Sequence, residues 1–227
     1  AGAVAIMQPY FFPYAGYFRL FERTKTFVIY DCVQFPRRGW VHRNKLPDHT
    51  GTDMWLTLPL KKAPRSIRIA DLAFLPEARQ EMRNRLRKFP LETTDTVLRA
   101  EVLDLLERTE GPVIDYLSDM LERVVTQLGL RWNVIRSSSL DVPETFQGQY
   151  RILEILRRLD GTHYVNPPGG VDLYDPKLFA SHDVKLEILP TYAGSYSSML
   201  SRILLEPASM LRQEIECDGI PPTADRE

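Results

Sequence analysis

Two short apolar runs near the start of the chain, residues 4–7 and 27–30, constrain the fold more than any other feature. Each is continuously apolar and partly β-branched or aromatic. That pattern suits a strand covered on both faces of a parallel sheet, with buried helical turns as the rival assignment. Between them, Pro13 and Gly16 precede a segment, residues 16–23, that places Tyr17, Leu20 and Phe21 at helical spacing. Strand, helix, strand in this order makes a unit whose crossover is right-handed. In open α/β sheets ligands bind beyond the carboxyl ends of the strands, so Gln8, Asp31, Cys32 and Gln34 fall on the ligand edge.

The alternation continues along the chain. Residues 55–60 read as a strand, with Pro59 arguing for an edge position; residues 61–65 form a basic loop, and 67–69 a short partner strand. Residues 77–90 are helical and heavily charged, the mark of a solvated face. Residues 102–128 read as two helices broken near Gly111 and Pro112. Further strands are expected at 132–136, 162–166 and 184–189, with a helix at 150–159. Four polar motifs each follow a predicted strand directly: Gln8-Pro9, the stretch from Asp31 to Gln34, Ser137-Ser138-Ser139, and the stretch from Asn166 to Gly170. One parallel sheet sets all four on the same rim. The expected architecture is α/β, a Rossmann-like mainly parallel sheet with flanking helices, as a single domain over residues 1–217 with a helical insertion at about 75–130. Residues 218–227 are expected to fray.

Charge and cysteine usage narrow the function classes. A formal net charge of −1 over 227 residues gives no global reason to expect sequence-specific nucleic-acid binding. No apolar stretch approaches the ~20 residues that span a bilayer and no signal-peptide pattern is present, so a cytoplasmic protein without a membrane partner is expected. Cys32 and Cys217 give neither a disulfide pattern nor a metal signature. Cys32 sits on the ligand edge as a candidate nucleophile, against its reading as a small residue beside a strand end.

A basic cluster follows the second strand. Arg37, Arg38, Arg43 and Lys45 stand against one acid over residues 31–45, with Trp40 and His42 interleaved. Arginine forks match phosphate bidentately and an indole stacks on a base or sugar face, whereas charge runs are commonly solvated and Trp40 then anchors the loop in the core. Asp31, with Gln34 beside it, is a candidate to orient or deprotonate an amine or to cap a turn through its own backbone. Gln8 is presented by a loop stiffened by Pro9 and Pro13. Asn166 with Gly169 and Gly170 suits close backbone approach to a ligand. The serine run is a phosphate site or simply a loop.

The residues from Met7 to Tyr17, with those from Tyr30 to Phe35, Arg43-Asn44, the stretch from Trp55 to Pro59, the stretch from Tyr164 to Asn166 and Gly169-Gly170, resemble the WbqC-like protein family over about nine tenths of the chain. The resemblance implies work in surface-polysaccharide and modified-sugar biosynthesis, and specifically transfer of an acyl or aminoacyl group such as glycine onto the amine of a sugar nucleotide. It also adds Tyr10, Asn44 and Tyr164 to a binding set of Gln8, Tyr14, Tyr17, Arg37, Arg38, Trp40, Arg43, Asn166 and Gly169. Two departures stand out: Cys32 replaces a second acidic or polar residue, and residues 200–203 (Leu200, Ser201, Arg202, Ile203) lack the aspartate of the family's C-terminal motif. A more distant similarity links Tyr14-Ala15-Gly16-Tyr17 to the His-x-Gly-His signature of certain nucleotidyltransferases, with tyrosines in both histidine places. That similarity keeps an ATP-dependent ligase or nucleotidyltransferase open, with ATP and magnesium as cofactors, beside a non-catalytic nucleotide-sugar-binding protein. The acyl donor is not named by the sequence: aminoacyl-tRNA, acyl-CoA, a carrier-protein thioester and an acyl-adenylate are all candidates, and the expected partner is a phosphorylated small molecule.

Overall fold

A computed structural model describes residues 2–220. Its centre is a five-stranded parallel sheet formed by β1 (Ala3–Met7), β2 (Thr26–Ile29), β5 (Val134–Arg136), β6 (His163–Asn166) and β7 (Lys185–Ile188), in the order β5-β2-β1-β6-β7. This is the expected Rossmann-like α/β arrangement. The strand order reverses between β1 and β6, the switch point at which an open parallel sheet splays its loops apart into a crevice.

The apolar runs form buried strands because both faces are covered. Ala5, Phe27 and Ile29 pack into one cluster with Leu20, Phe21, Leu117 and Leu121, while Val4, Ile6, Val28 and Tyr164 pack into another with Ile152, Ile155, Leu156 and Phe179. Helix α1 (Arg19–Arg23), entered through a short 3₁₀ turn at Ala15–Phe18, links β1 to β2. The helices α2 (Ala78–Leu86), α3 (Thr96–Glu107) and α4 (Val113–Gln127) fall within the 75–130 stretch, with Gly111 at φ +72° breaking α3 from α4. Helices α5 (Gly148–Arg158) and α6 (Pro176–Ser181) flank β6, and α7 (Met199–Leu205) and α8 (Ala208–Glu216) follow β7.

One part of the sequence reading is corrected here. The strand in the 55–60 region is β4 (Asp53–Thr57), and its partner is β3 (Arg43–Pro47) in a separate two-stranded antiparallel ribbon, with Asn44 opposite Leu56 and Leu46 opposite Met54. Residues 67–69 are not that partner: Arg68 makes an isolated bridge to Gln34, and Ile69–Asp71 is a 3₁₀ turn. In β3 only Asn44 and Leu46 are buried, so charged neighbours mask the alternation. Of the tail expected to fray, Asp218 is held. Its carboxylate pairs with Arg19 at 2.7 Å and Arg23 at 2.8 Å, and its carbonyl accepts from the Ala193 N–H at 2.9 Å. Residues 221–227 lie outside the described residues. Among the described residues, no helix is long and apolar enough to cross a membrane.

The packing separates two substitutions. Leu156→Ala, on the α5 face against the sheet and fully buried, should cost about 2–5 kcal/mol of stability. Arg79→Ala, on the exposed face of α2, should stay within about 0.5 kcal/mol. Urea unfolding followed by circular dichroism distinguishes them.

Candidate functional site

The rim expected from the sequence exists. Met7 is in register with Ile29, and Ile29 with Arg136, in parallel strands, so Gln8, Asp31 and Ser137 leave the sheet at one edge. Asn166 ends β6 at that same edge, its carbonyl accepting from the Leu189 N–H at 2.9 Å. Arg43 is not at this rim. It lies on the ribbon with its guanidinium 4.1 Å from the centre of the Trp55 ring, donating to the Gly39 and Arg38 carbonyls.

After β1 the chain makes a tight aromatic turn. Phe12 has φ +40°, a backbone state that costs a bulky residue of order 1–3 kcal/mol. Its neighbours hold it there. The Phe12 carbonyl accepts from Asn44 Nδ2 at 2.8 Å and from Ser198 Oγ at 2.7 Å, and the Phe12 N–H faces the Met120 sulfur at 3.2 Å. Asn44 Nδ2 also reaches the Phe11 carbonyl, the Phe11 N–H donates to the Trp40 carbonyl, and the Met199 N–H donates to the Pro13 carbonyl. Loop, ribbon and the start of α7 therefore meet at one turn.

Between these three segments lies a pocket of about 250 Å³ lined by Tyr10, Pro13, Tyr14, Trp40, Asn44 and Tyr196. Tyr14 and Tyr196 stack with ring centres 4.6 Å apart. Trp40 is 43% exposed and Tyr196 59%, so neither ring is buried in the core. Gly16 makes this packing feasible. A Cβ there would lie 2.4 Å from the Tyr14 ring and 2.7 Å from the Tyr192 ring, closer than any real contact. Burial raises the Tyr10 phenol above its ordinary pKa, and the neighbouring Tyr14 adds to this; burial likewise raises Tyr14, with Arg19 opposing. Both phenols are neutral hydrogen-bond donors at neutral pH.

Other candidate residues fill structural places. Asp31 is fully buried. Its carboxylate accepts from Ser137 Oγ at 3.0 Å, the Ser138 N–H at 2.8 Å and Ser138 Oγ at 2.7 Å, while Ser137 Oγ accepts from the Asp31 and Cys32 N–H groups. The pair laces the end of β2 to the segment after β5, so an amine would have to displace these bonds to reach the carboxylate. Cys32 is a half-buried free thiol, and Gln34 is exposed. Tyr17, expected at the ligand, is buried, and its hydroxyl is engaged in donating to the Gln8 carbonyl at 2.8 Å. Tyr164 is likewise buried, donating to Asn166 Oδ1 at 3.0 Å. The Asn166 amide lies where a Cβ on Gly170 would be, 1.7 Å away, so this glycine serves internal packing; Gly169 is exposed. Arg37 and Arg38 are exposed, Arg37 beside a different pocket from the one that holds Trp40.

Tyr192, Tyr196 and Ser198 were not singled out from sequence. They sit in a glycine- and serine-containing stretch just after β7, the same strand-then-polar pattern that marked the other rim segments.

A model of the WbqC-like protein family matches residues 8–202 of this chain, a span that contains every wall of the pocket. Over 58 residues, 26% of the chain, it is 38% identical to Uncharacterized protein Rv1507c of Mycobacterium tuberculosis; the chain spans about a quarter of the length of that curated relative. No solved structure matches the chain.

Two outcomes follow from this geometry. Asn44→Ala leaves buried carbonyls at Phe11 and Phe12 short of a donor and should cost about 1–3 kcal/mol, read from the urea midpoint. His42, half-buried behind the pocket's ribbon, has its imidazole pKa lowered from 6.5 to about 4, first by burial and then by the Arg43 charge. Between pH 6.5 and 4 the unfolded chain takes up a proton at this ring and the folded chain does not, so stability from this residue rises with pH through that window. His42→Gln should therefore lose less stability than the parent on going from pH 7 to pH 4.5, values that bracket the upper part of that window.

Proposed function

The chain belongs to the WbqC-like protein family, and we propose that it is a biosynthetic transferase that forms an amide, moving an acyl or aminoacyl group onto the amine of a sugar nucleotide or related small molecule. The observation that carries this reading is the aromatic pocket at the carboxyl edge of the sheet. Four of its six lining residues are Tyr10, Tyr14, Trp40 and Tyr196. Aromatic faces stack on the apolar face of a sugar ring, and phenol and indole edges supply hydrogen bonds to its hydroxyls. At about 250 Å³ the pocket is slightly smaller than the usual ligand sites, which start near 300 Å³. It suits one ring, leaving the rest of a nucleotide sugar outside.

In this reading the sugar amine attacks the activated acyl carbon, and its nitrogen gains the C–N bond. The carbonyl oxygen takes negative charge, and the leaving group departs with the electron pair of the broken bond while the amine proton passes to solvent. Tyr10 and Tyr14, held neutral, donate hydrogen bonds to the developing oxyanion. Asp31 acts at one remove, fixing the rim through Ser137 and Ser138.

The test is incubation with nucleotide-linked amino sugars and glycyl donors (glycyl-tRNA, a glycyl thioester, or glycine with ATP), read by mass spectrometry. One sugar species should gain a single acyl residue. Tyr14→Phe should lower kcat about 10²-fold, the usual loss on removing one oxyanion donor, whereas Trp40→Ala should act mainly on KM. Pyrophosphate release from ATP with no acylated sugar would favour the ligase reading instead, and binding without turnover a non-catalytic one.

A further inference from the structure

We propose that a second pocket, walled by Arg37, His42, Lys61, Lys62 and Arg85, is an anion site that takes a pyrophosphate group. It has a volume of about 320 Å³ and a floor that includes Phe35, Leu58 and Leu72. The site does not depend on the acyl-transfer reading, because none of its walls lines the aromatic pocket.

Charge is the first argument. Four cations line this cavity and no aspartate or glutamate does, although the chain as a whole carries a net charge of −1. Among the described residues, Arg85 alone of the four has an acidic partner, Glu81 at 3.6 Å. Like charges gathered in a concavity repel one another unless a counter-ion is present. A single carboxylate would neutralise one of the four; a pyrophosphate carries enough charge and enough acceptor oxygens to engage several together.

Preorganisation is the second argument. Arg85 donates to the Thr57 carbonyl at 2.6 Å and Arg37 to the Ala63 carbonyl at 2.5 Å, so both guanidiniums are held with N–H groups to spare. The lysine loop is pinned as well: the Lys61 N–H donates to the Ala73 carbonyl, the Leu75 N–H to the Pro59 carbonyl, and Leu60 bridges Phe74. Cations on fixed backbone lose less entropy on binding than cations on a mobile loop.

His42 supplies the third. Its Nδ1 is buried without a partner, and a proton there would be an unsatisfied donor. In the tautomer that carries the proton on Nε2, that nitrogen is a neutral donor for a ligand oxygen. The ring rests edge-on against Phe35, centres 4.9 Å apart, which fixes its plane.

Isothermal titration calorimetry with inorganic pyrophosphate at low ionic strength tests the site, with a nucleoside diphosphate and sulfate as further arms. Pyrophosphate should bind with measurable heat, more tightly than sulfate. Lys61→Ala/Lys62→Ala should weaken it by about tenfold or more per cation lost, the loss of one charge-assisted hydrogen bond each, and Arg37→Gln should do likewise. The control Lys177→Ala/Lys185→Ala removes the same charge from α6 and β7 and should change affinity less than about twofold. A nucleoside diphosphate binding at least as well as free pyrophosphate identifies a nucleotide as the source of the group, and the reverse order identifies the free anion. No heat with either, equal losses in both double variants, or tighter binding of a short single-stranded RNA than of pyrophosphate would overturn the proposal.

Discussion

The carbonyl oxygen of Phe12 is the point on which the site depends. One acceptor receives donors from two distant parts of the chain, Asn44 on the ribbon and Ser198 at the start of α7. Both bonds are buried, where a lost partner is costly because no water takes its place. The positive φ of Phe12 is the price of aiming that oxygen outward from the loop after β1. Because Ser198 also caps α7 by accepting from the Leu200 N–H, the same hydroxyl fixes the helix start and the loop together.

A second tie acts from the other side of the first helix. Arg19 is fully buried, and its guanidinium donates to the Gly16 and Pro190 carbonyls and to Asp218, while lying 5.2 Å from the centre of the Tyr192 ring. Tyr192 in turn donates to Glu214, which accepts from Arg202 at 2.9 Å. A buried charge of this kind adds little net stability when paired but costs about 3–5 kcal/mol when its partner is removed. It therefore holds the C-terminal helices in register with the start of α1 more than it deepens the fold.

Strands β1 and β2 were legible because residues 4–7 and 27–30 are continuously apolar, whereas β5, β6 and β7 carry Arg136, His163, Asn166, Lys185 and Glu187 and were read from the alternation of helix and strand. Residues 43–47 were not legible as a strand: Arg43 and Lys45 point outward over Trp55, and only Asn44 and Leu46 turn inward. The rim positions of Gln8, Asp31 and Asn166 follow from parallel topology alone, but their partners do not. Nothing in the spacing of Asp31 and Ser137 says that their side chains meet, since that contact spans the β2–β5 pairing. Tyr196 was missed for the same reason: it reaches Tyr14 only because Ser198 docks on Phe12. Trp40, readable from sequence as a ring that stacks on a ligand or as an anchor in the core, is 43% exposed and lines the aromatic pocket beside Trp55 of the ribbon.

That placement of Trp40 gives the molecule an intrinsic optical reporter. Its indole and that of Trp55 lie with ring centres 5.3 Å apart and both are about 40% exposed, whereas Trp132 stacks on Phe21 away from the pocket. Occupancy of the aromatic cavity would alter the polarity around one member of a coupled chromophore pair, so emission wavelength and near-ultraviolet dichroism register the cavity's state without any label.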